Sequence, residues 1–474
     1  MIPVLALAIR QIAKLRHRAF LAGWVFGMGW FGAGISWVHV SIADFGGLPL
    51  VGSLAIMALL CGYLSLFPAL AFSLTSRFFT VNLWPLALPF FWCFSEWLRS
   101  WLLTGFPWLS LGYSQIDSPL SGWAPIIGET GLTALLLIAA SLLACNGFKR
   151  ATLNGGLISL AIYVSGWLAL QHAWVSPKQT YSVAMVQGNI PQSLRWVPEQ
   201  DQPTMDKYLH LTEPLWNSDL IIWPEAAVPK LEPLAQPYLA RVNERAFNEN
   251  TALITGIVNF NWETQEAWNN LIVLGKRTPT ATLPDYQYFH NNRFAKHHLL
   301  PVGEFVPFED WLRPLAPLFD LPMSSFARGA YQQANLEANG IHLAPAICFE
   351  IAFPRQVAAN LYANTDMIIT VSNDAWFGRS HGPAQHLEIA RMRALEFGRP
   401  VLRATNNGIS AFIDAKGQIT ARLPQFEAGS LTAPVTATEG LTPYRQLGDL
   451  PMGILLTLLL IVSITSKKHR RLFS

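Results

Sequence analysis

The sequence predicts two kinds of structure in one chain, a multi-span α-helical membrane domain and an α/β sandwich domain. Hydrophobic residues make up 51% of the 474 residues, charged residues make up only 13%, and the mean hydropathy is +0.28. Such a composition is typical of an integral membrane protein. The apolar stretches lie in residues 1–172 and 450–474, whereas residues 173–449 are polar. We therefore expect an N-terminal membrane domain, a large polar domain, and a C-terminal membrane helix with a basic tail.

The membrane domain is predicted from nearly uncharged stretches that are long enough to cross a bilayer. Six such stretches occur, at about residues 20–40, 48–75, 78–95, 122–146, 151–172 and 450–466. Residues 1–9 are also apolar, but they are too short to span a bilayer alone, and they lack the polar cleavage region of a signal peptide. The prediction is thus six spans plus a short apolar start at Met1.

Basic residues flank alternate ends of these stretches, and their distribution predicts the orientation of the chain. They lie at residues 10–18, at Arg77, at residues 149–150 and at residues 467–471. Under the positive-inside rule all four groups face the cytoplasm. Both ends of the chain are then cytoplasmic, and the polar domain is expected on the opposite side of the membrane.

The polar domain alternates short β-rich runs with helical stretches. A helical stretch at residues 385–397 separates two of the runs, which lie at residues 182–186, 220–223, 252–257, 341–348, 367–371, 401–405 and 410–413. Runs rich in Val, Ile and Thr that are bounded by turn residues are typical of strands. Their alternation with helices predicts an α/β sandwich with a largely buried sheet.

Several classes of function do not fit this composition. The net charge is only +3, and the basic residues lie at the ends of apolar runs, so no nucleic-acid partner is expected. Three of the four cysteines lie in apolar runs, so no disulfide framework is indicated. The adjacent His297 and His298 lack the spacing of a metal site, and no phosphate-binding glycine loop occurs. We expect neither a metal nor a cofactor.

Several chemically active residues of the polar domain lie at the edges of apolar runs. Cys348 ends one strand-like run and is followed by Glu350, Glu225 ends another run, and Lys296 and Glu304 lie in the segment between them. A thiol at a strand end, with an acid as general base and a cation that lowers the pKa of the thiol, forms a nucleophilic site. Each residue alone also fits an ordinary role, as a small buried side chain for the cysteine or as solvated loop residues for the others.

The order of Glu225, Lys296 and Cys348 along the chain resembles that of the nitrilase superfamily. Longer motifs resemble the apolipoprotein N-acyltransferase family, the nitrilase-like enzymes of the bacterial inner membrane: WPEAAVP, KHHLLPVGEFVP, LPMSSFARG, AICFEI, SNDAWFG, ARMRALEFGRP and RATNNGIS. In the apolar part, GISWVHVSIADFGG and EWLRSWLLTGFPWLSLGYSQID resemble the transmembrane and juxtamembrane segments of that family. The resemblance covers nearly the whole chain and implies a nitrilase-like αββα sandwich on the extracytoplasmic side.

The resemblance also implies a role for each candidate residue. Cys348 matches the nucleophile, Glu225 the general base and Lys296 the residue that stabilises the oxyanion. Glu304 matches a further essential acid in the GEFVP motif, and Glu350 matches the acid that follows the nucleophile.

Three aromatic residues are further candidates for contact with substrate. Trp196 and Trp376 match aromatic positions near the lipid entry of the family, and simple packing in the core or at an interface is an equal alternative for both. Phe349 occupies a position where family members often carry Tyr. The missing hydroxyl is expected to tune the site rather than to abolish it.

The function that the resemblance implies is the last step of lipoprotein maturation. An acyl chain moves from a membrane phospholipid to the N-terminal amino group of the S-diacylglyceryl-cysteine of an apolipoprotein, through a thioester on Cys348. The implied partners are the phospholipid donor, the diacylglyceryl-modified apolipoprotein and the surrounding membrane lipids. The implied location is the bacterial inner membrane, with the catalytic domain on the periplasmic side.

Other functions remain as alternatives at this point. The first is a membrane-tethered, nitrilase-like amidase or hydrolase, in which water takes the second step; the same three residues serve both reactions. A non-catalytic binding protein is expected to lack one of the three. A transporter is expected to carry paired ionisable groups inside its spans, and apart from Glu96 and Glu129 near span ends the sequence has almost none.

The number of spans is a departure from the family. Members typically have eight, whereas this sequence shows six and a short apolar start. The chain then begins inside the second span of the family, which is consistent with a natural start upstream of Met1.

Overall fold

The computed structural model describes residues 1–45, 49–145, 151–195, 197–301, 303–305 and 326–472. The chain divides into two compact units. The first comprises Met1–Ala43, Pro49–Trp174 and Leu441–Ser474, and the second contains Val175–Gly440. The first unit is helical, and both β-sheets belong to the second.

The first unit consists of apolar helices. Its helices span Ile2–Lys14, Ala19–Gly34, Val38–Val40, Leu50–Phe78, Trp84–Arg99, Ala124–Cys145, Ala151–Leu170, Pro443–Leu447 and Leu450–Leu472. Among the described residues, three segments are long and apolar enough to cross a membrane: Leu50–Phe78, Pro119–Cys145 and Leu450–Lys467. They coincide with three of the six predicted spans.

The other three predicted spans coincide with helices at Ala19–Gly34, Trp84–Arg99 and Ala151–Leu170. These helices are not among the three long apolar segments, so a total of six spans stays a prediction. Two boundaries differ from the prediction. The first helix ends at Gly34 rather than near residue 40, because the backbone leaves the helical conformation at Ile35. The helix Trp84–Arg99 begins at Trp84 rather than at residue 78, since a proline in its first turn favours a helix start there.

Two glycines let helix Ala19–Gly34 pack closely on the helix that follows it. A β-carbon on Gly23 would lie 2.9 Å from the Cα of Ala69, and one on Gly27 would lie 2.8 Å from the Cα of Ser65. Neither position has room for a larger side chain. Small residues spaced four apart are typical of helix–helix packing in membranes, where close van der Waals contact drives association.

In the described residues of the second unit there are two sheets and four helices. The helices span Pro198–Thr212, Gln236–Asn248, Pro354–Ala359 and Gly382–Phe397. The strands are β1 (Val175–Gln187), β2 (Leu220–Ile222), β3 (Val228–Leu231), β4 (Ala252–Asn261), β5 (Glu266–Gly275), β6 (Arg293–Ala295), β7 (Leu336–Ala338), β8 (Ile341–Ile347), β9 (Met367–Ser372), β10 (Val401–Thr405), β11 (Ala411–Ile413), β12 (Ile419–Arg422) and β13 (Gly429–Gly440). The seven predicted β-rich runs all fall on strands of this set.

The topology of the two sheets is similar. The strand order is β13-β1-β2-β4-β5-β6 in the first sheet, where β3 also pairs with β4, and β12-β11-β10-β9-β8-β7 in the second. The strands β1, β2 and β4 are parallel, and so are β8, β9 and β10. At the edge of the first sheet β1 pairs with β13 in the antiparallel direction, from Val175 opposite Gly440 to Gln187 opposite Gly429.

The two sheets pack face to face around one apolar core. Met185, Ile222 and Ile254 of the first sheet and Ile347 and Ile369 of the second are all fully buried in it. Burial of a side chain of this size stabilises the fold by about 1.5–3 kcal/mol. Because the carboxyl ends of neighbouring parallel strands meet at one edge of a sheet, the residues that follow the strands come together there.

Helices cover the outer faces of the sheets. Helices Pro198–Thr212 and Gln236–Asn248 contribute Met205, Tyr208 and Leu239 to a second core cluster on the outer face of the first sheet. Helix Gly382–Phe397 packs beside β10 of the second sheet and is almost entirely buried. The unit is thus the layered α/β sandwich that the sequence predicts.

Candidate active site

Cys348 lies in a sharp turn directly after β8. Its φ of 55° is in the left-handed region, which costs a residue with a side chain about 1–3 kcal/mol. The thiol is half-buried, and its Sγ lies 3.5 Å from the Oγ of Ser372, the last residue of the neighbouring strand β9. Strained turns at strand ends are typical positions for nucleophiles, because they hold the reacting atom at the end of the sheet.

The thiol of Cys348 is protonated at rest. Burial raises its pKa to about 12, and the carboxylate of Glu225 acts in the same direction, whereas the Lys296 ammonium and the Ser372 hydroxyl lower it. A thiol in this state needs a base that removes its proton when it attacks.

The carboxylate of Glu225 is buried and held in a fixed orientation. Its Oε1 accepts a hydrogen bond from Asn269 Nδ2 at 2.8 Å, and its Oε2 accepts one from the backbone N–H of Asn373 at 2.9 Å. Arg195 Nη2 donates to the backbone carbonyl oxygen of Glu225 at 3.1 Å. Glu225 follows β2 by three residues, and this position brings its side chain toward the ends of the strands.

Lys296 follows β6 and lies between two carboxylates. Its Nζ lies 2.8 Å from Glu304 Oε2 and 3.6 Å from Glu225 Oε1, and its side chain is only 2% exposed. Burial lowers the pKa of Lys296, but the two carboxylates outweigh burial and hold the pKa above its ordinary value. The site therefore contains a permanent, nearly dry cation, which is the kind of group that stabilises an oxyanion.

Asn269 links the two carboxylates and was not predicted. Its Nδ2 donates to Glu225 Oε1 at 2.8 Å and to Glu304 Oε1 at 2.9 Å. The backbone N–H of Lys296 donates to its carbonyl oxygen at 2.8 Å. The signal in the sequence is weak, because it consists of one amide in an otherwise buried strand; β5 was not predicted either.

Glu350 is fully buried and connects two segments of the site. Its Oε2 accepts the backbone N–H of Ile347, and its Oε1 accepts the backbone N–H groups of His297 and His298 and the side-chain amide of Gln356, all within 3.0 Å. Burial raises the pKa of this carboxyl group, and the hydrogen bonds oppose that effect. The geometry gives Glu350 a positioning role, since it joins the nucleophile turn to the segment after the lysine.

The predicted aromatic candidates are in different environments. Phe349 is buried, with its ring centroid 5.0 Å from that of Phe353 and 5.8 Å from that of His298. Trp376 is half-buried in a short helical turn after β9. Trp196 lies outside the described residues. Contact of these residues with substrate stays a prediction.

The paired histidines do not form a metal site. The His298 ring stacks on Phe353 with centroids 3.6 Å apart, whereas His297 Nδ1 lies 2.8 Å from the carbonyl oxygen of Gly329. Within the part of the chain that the structure describes, no group of three or more His, Cys, Asp or Glu side chains could hold a metal ion.

Comparison with known proteins gives two family matches along the chain. Residues 1–142 match the apolipoprotein N-acyltransferase N-terminal domain, and residues 182–444 match the carbon-nitrogen hydrolase family. The second match covers the sandwich and every predicted catalytic residue. The chain is thus an enzyme of the carbon-nitrogen hydrolase class.

Relatives over the whole length are more specific. Proteins named apolipoprotein N-acyltransferase from Vibrio parahaemolyticus and Vibrio cholerae are 48% and 49% identical, over 94% and 95% of this chain and 88% of each relative. One of the same name from Shewanella oneidensis is 47% identical over 98% of this chain and 91% of the relative. The chain belongs to the apolipoprotein N-acyltransferase family, and it is an acyl-transferring enzyme.

Proposed function

We propose that this acyltransferase moves an acyl chain from a membrane phospholipid to the N-terminal amino group of the S-diacylglyceryl-cysteine of an apolipoprotein. One observation carries the mechanism. Glu225 Oε1 lies 3.6 Å from Lys296 Nζ, and Glu225 Oε2 accepts the backbone N–H of Asn373, the residue after Ser372, whose hydroxyl lies 3.5 Å from the Cys348 sulfur. A base, a cation and a nucleophile therefore meet at one point, with Glu304 as the second counter-ion of the cation.

In the first step the enzyme takes the acyl chain. Glu225 accepts the thiol proton of Cys348, and the sulfur attacks the ester carbonyl of the phospholipid. Lys296 stabilises the oxyanion that forms. When the ester C–O bond breaks, Glu225 returns the proton to the leaving alkoxide, and a lysophospholipid departs. The acyl chain remains on Cys348 as a thioester.

In the second step the acyl chain moves to the acceptor. The amino group of the diacylglyceryl-cysteine attacks the thioester carbonyl, and Glu225 takes a proton from the attacking nitrogen. Lys296 again stabilises the oxyanion, and the C–S bond breaks to give the amide. The proton on Glu225 returns to the sulfur of Cys348. The lysophospholipid leaves before the acceptor reacts with the covalent thioester, which predicts ping-pong kinetics.

The location of the enzyme is part of the proposal. Residues 1–172 and 450–474 anchor it in the bacterial inner membrane, and residues 173–449 form the catalytic domain on the periplasmic side. The distribution of basic residues at the ends of the apolar stretches supports this orientation. Both substrates are anchored in the bilayer, so a membrane-bound enzyme can meet them at the surface.

The acyl-enzyme is the species that tests the mechanism. We would incubate purified enzyme in detergent with isotope-labelled phospholipid and no acceptor, and then examine the Cys348 peptide by mass spectrometry. We expect the mass of one acyl chain on this peptide, none on the peptides of the other three cysteines and none in Cys348→Ala. Added diacylglyceryl peptide should remove the adduct as N-acylated peptide forms.

Two other outcomes would change the assignment. An adduct that water removes as fast as the acceptor does would indicate the membrane-tethered hydrolase. If wild-type enzyme forms no adduct and Cys348→Ala transfers acyl chains normally, Cys348 is not the nucleophile.

A further inference from the structure

A buried polar network lies behind the Cys348 sulfur and has no part in the mechanism described so far. Four of its side chains are 0% exposed: Ser372, Asp374, His386 and Arg403. They come from the end of β9, the turn after it, helix Gly382–Phe397 and β10. Buried polar groups cost free energy unless they are hydrogen-bonded, so a network this deep next to a nucleophile calls for a specific role.

The hydroxyl group of Ser372 has two acceptors and one proton. Its Oγ lies 2.5 Å from Asp374 Oδ1 and 3.5 Å from Cys348 Sγ. A hydroxyl donates only one hydrogen bond at a time. A carboxylate is a stronger acceptor than a neutral thiol, so at rest the proton points to Asp374. Once the sulfur becomes a thiolate, it competes for the same proton.

Asp374 keeps its charge and its position without Ser372. Its Oδ2 accepts a hydrogen bond from Arg403 Nη2 at 2.6 Å, and its Oδ1 lies 3.3 Å from His386 Nδ1. Burial raises the pKa of Asp374, but Arg403, His386 and Ser372 outweigh burial and lower the pKa to about 2, with Arg403 as the largest of the three. The carboxylate therefore retains its ion pair with Arg403 when the serine hydroxyl turns away.

The same network also reaches the backbone of the nucleophile. His386 Nε2 lies 3.0 Å from the carbonyl oxygen of Cys348. Burial and the adjacent Arg403 lower the pKa of His386, so its ring is neutral. A neutral ring has one N–H, which can be donated either to Asp374 or to the Cys348 carbonyl oxygen. Ser372, which lies beside the Cys348 sulfur, and His386, which lies beside the Cys348 carbonyl oxygen, thus both contact Asp374.

We propose that Ser372 is a further catalytic residue, whose hydroxyl turns from Asp374 to the Cys348 sulfur and donates a hydrogen bond to the thiolate. The proposal rests on the proposed function, since it concerns the same nucleophile. No proton is lost or gained: the thiol proton goes to Glu225, and the serine keeps its own. The thiolate forms again when the thioester breaks, so the same hydrogen bond serves both steps.

Other charged groups around the sulfur act in parallel with this hydrogen bond. Those that influence its charge or contact its residue are Glu225, Lys296, Arg195, Asp374 and His386. Ser372 Oγ, at 3.5 Å from the sulfur, carries no charge. The role of the hydroxyl can therefore be separated by a substitution that removes no charge.

The test is the rate at which iodoacetamide alkylates Cys348, measured by mass spectrometry of its peptide in the full-length enzyme. Ser372→Ala should lower the thiolate fraction about tenfold, because a hydrogen bond to a charged acceptor is lost. The more basic thiolate that remains reacts about threefold faster, so the alkylation rate should fall about threefold at a fixed pH. The matched control is Ser410→Ala, since Ser410 is equally buried and bonds Gln187 and Thr405.

A second pair of variants tests the proposal even where Ser372→Ala does not fold. Ser372→Thr and Ser372→Val have the same shape and differ only by the hydroxyl group. The Thr variant should alkylate about threefold faster than the Val variant, by the same arithmetic. Equal rates in Thr and Val, or a rate in Ser372→Ala equal to that of Ser410→Ala, would overturn the proposal. Alkylation needs no phospholipid or apolipoprotein, so failure of acyl transfer would not affect this result.

Discussion

Replacement of Glu304 by Gln removes one negative charge from the site and changes almost nothing in its shape. Glu304 is 9% exposed and holds the Lys296 ammonium at 2.8 Å, closer than Glu225 does at 3.6 Å. In the variant, Glu225 becomes the only carboxylate paired with the lysine among the described residues. We expect the base and the cation to pair with each other and both to become less available for the reaction.

The geometry sets the size of the effect. Two unit charges at the 2.8 Å that separate Lys296 from Glu304 attract each other by about 6 kcal/mol at an effective dielectric constant of about 20. The Gln oxygen retains a hydrogen bond worth about 1 kcal/mol, and loss of a buried partner typically costs about 3–5 kcal/mol. Because the Glu225 carboxylate still balances the charge of the lysine, we expect a loss at the lower end of this range, about 3 kcal/mol. We expect a similar loss of transition-state stabilisation, because the lysine then pairs with Glu225, and about 3 kcal/mol corresponds to a loss of about 100-fold in the rate of acyl-enzyme formation.

The assay is a single-turnover measurement of Cys348 acylation by labelled phospholipid across a range of pH. Glu304 raises the pKa of Lys296, and the lysine must be charged to stabilise the oxyanion. Removal of Glu304 should therefore move the loss of activity on the alkaline side to lower pH. The matched control is Glu337→Gln, because the ion pair of Glu337 with Arg277 is partly exposed and such pairs contribute about 0–1 kcal/mol.

The reasoning fails if folded Glu304→Gln acylates at the wild-type rate with an unchanged pH profile. Glu304 would then not control the charge of Lys296, and its burial beside the lysine would be purely structural. Folding of the variant is checked by thermal unfolding in the same detergent.

Three further predictions concern the groups around the nucleophile. The alkylation rate of wild-type Cys348 should rise about tenfold per pH unit from about pH 7 to about pH 11, because burial holds its pKa at about 12; a plateau below about pH 9 would indicate a preformed thiolate. Glu350→Ala should lower the free energy of unfolding by about 3–9 kcal/mol, since three N–H groups lose a fully buried acceptor at about 1–3 kcal/mol each. Thermal unfolding beside a Glu263→Ala control, an exposed glutamate, tests this, and equal melting temperatures would contradict it. Asn269→Leu should slow acyl-enzyme formation about tenfold or more, because both carboxylates lose a hydrogen bond; an unchanged single-turnover rate would exclude this role.

The central strands were predictable because their sequences are short, apolar and bounded by turn residues. The helix Pro198–Thr212 was not, because it is polar and carries Pro203 in its interior. β13 was not predicted either. Most of its residues are exposed or half-buried, and Pro434 interrupts its β-rich pattern, as edge strands tolerate.

The residues of the site also divide into those that the sequence predicts and those that it does not. Glu225, Lys296 and Cys348 could be proposed because each is a reactive residue type at the end of an apolar run. Asn269 and Ser372 could not, since their importance arises only where side chains from distant parts of the chain meet. A single sequence carries no record of such contacts.

The pairing of β1 with β13 makes the sheet depend on the order of synthesis. The two strands are joined along nearly their full length, yet β13 ends at Gly440 and is the last strand to be made. Until then, one edge of the 13-residue strand β1 lacks this partner, and open strand edges promote association with other chains. A chain that stops early keeps this edge open. We therefore expect prematurely ended chains to be removed by proteolysis or lost to aggregation, so that the cell accumulates only complete enzyme.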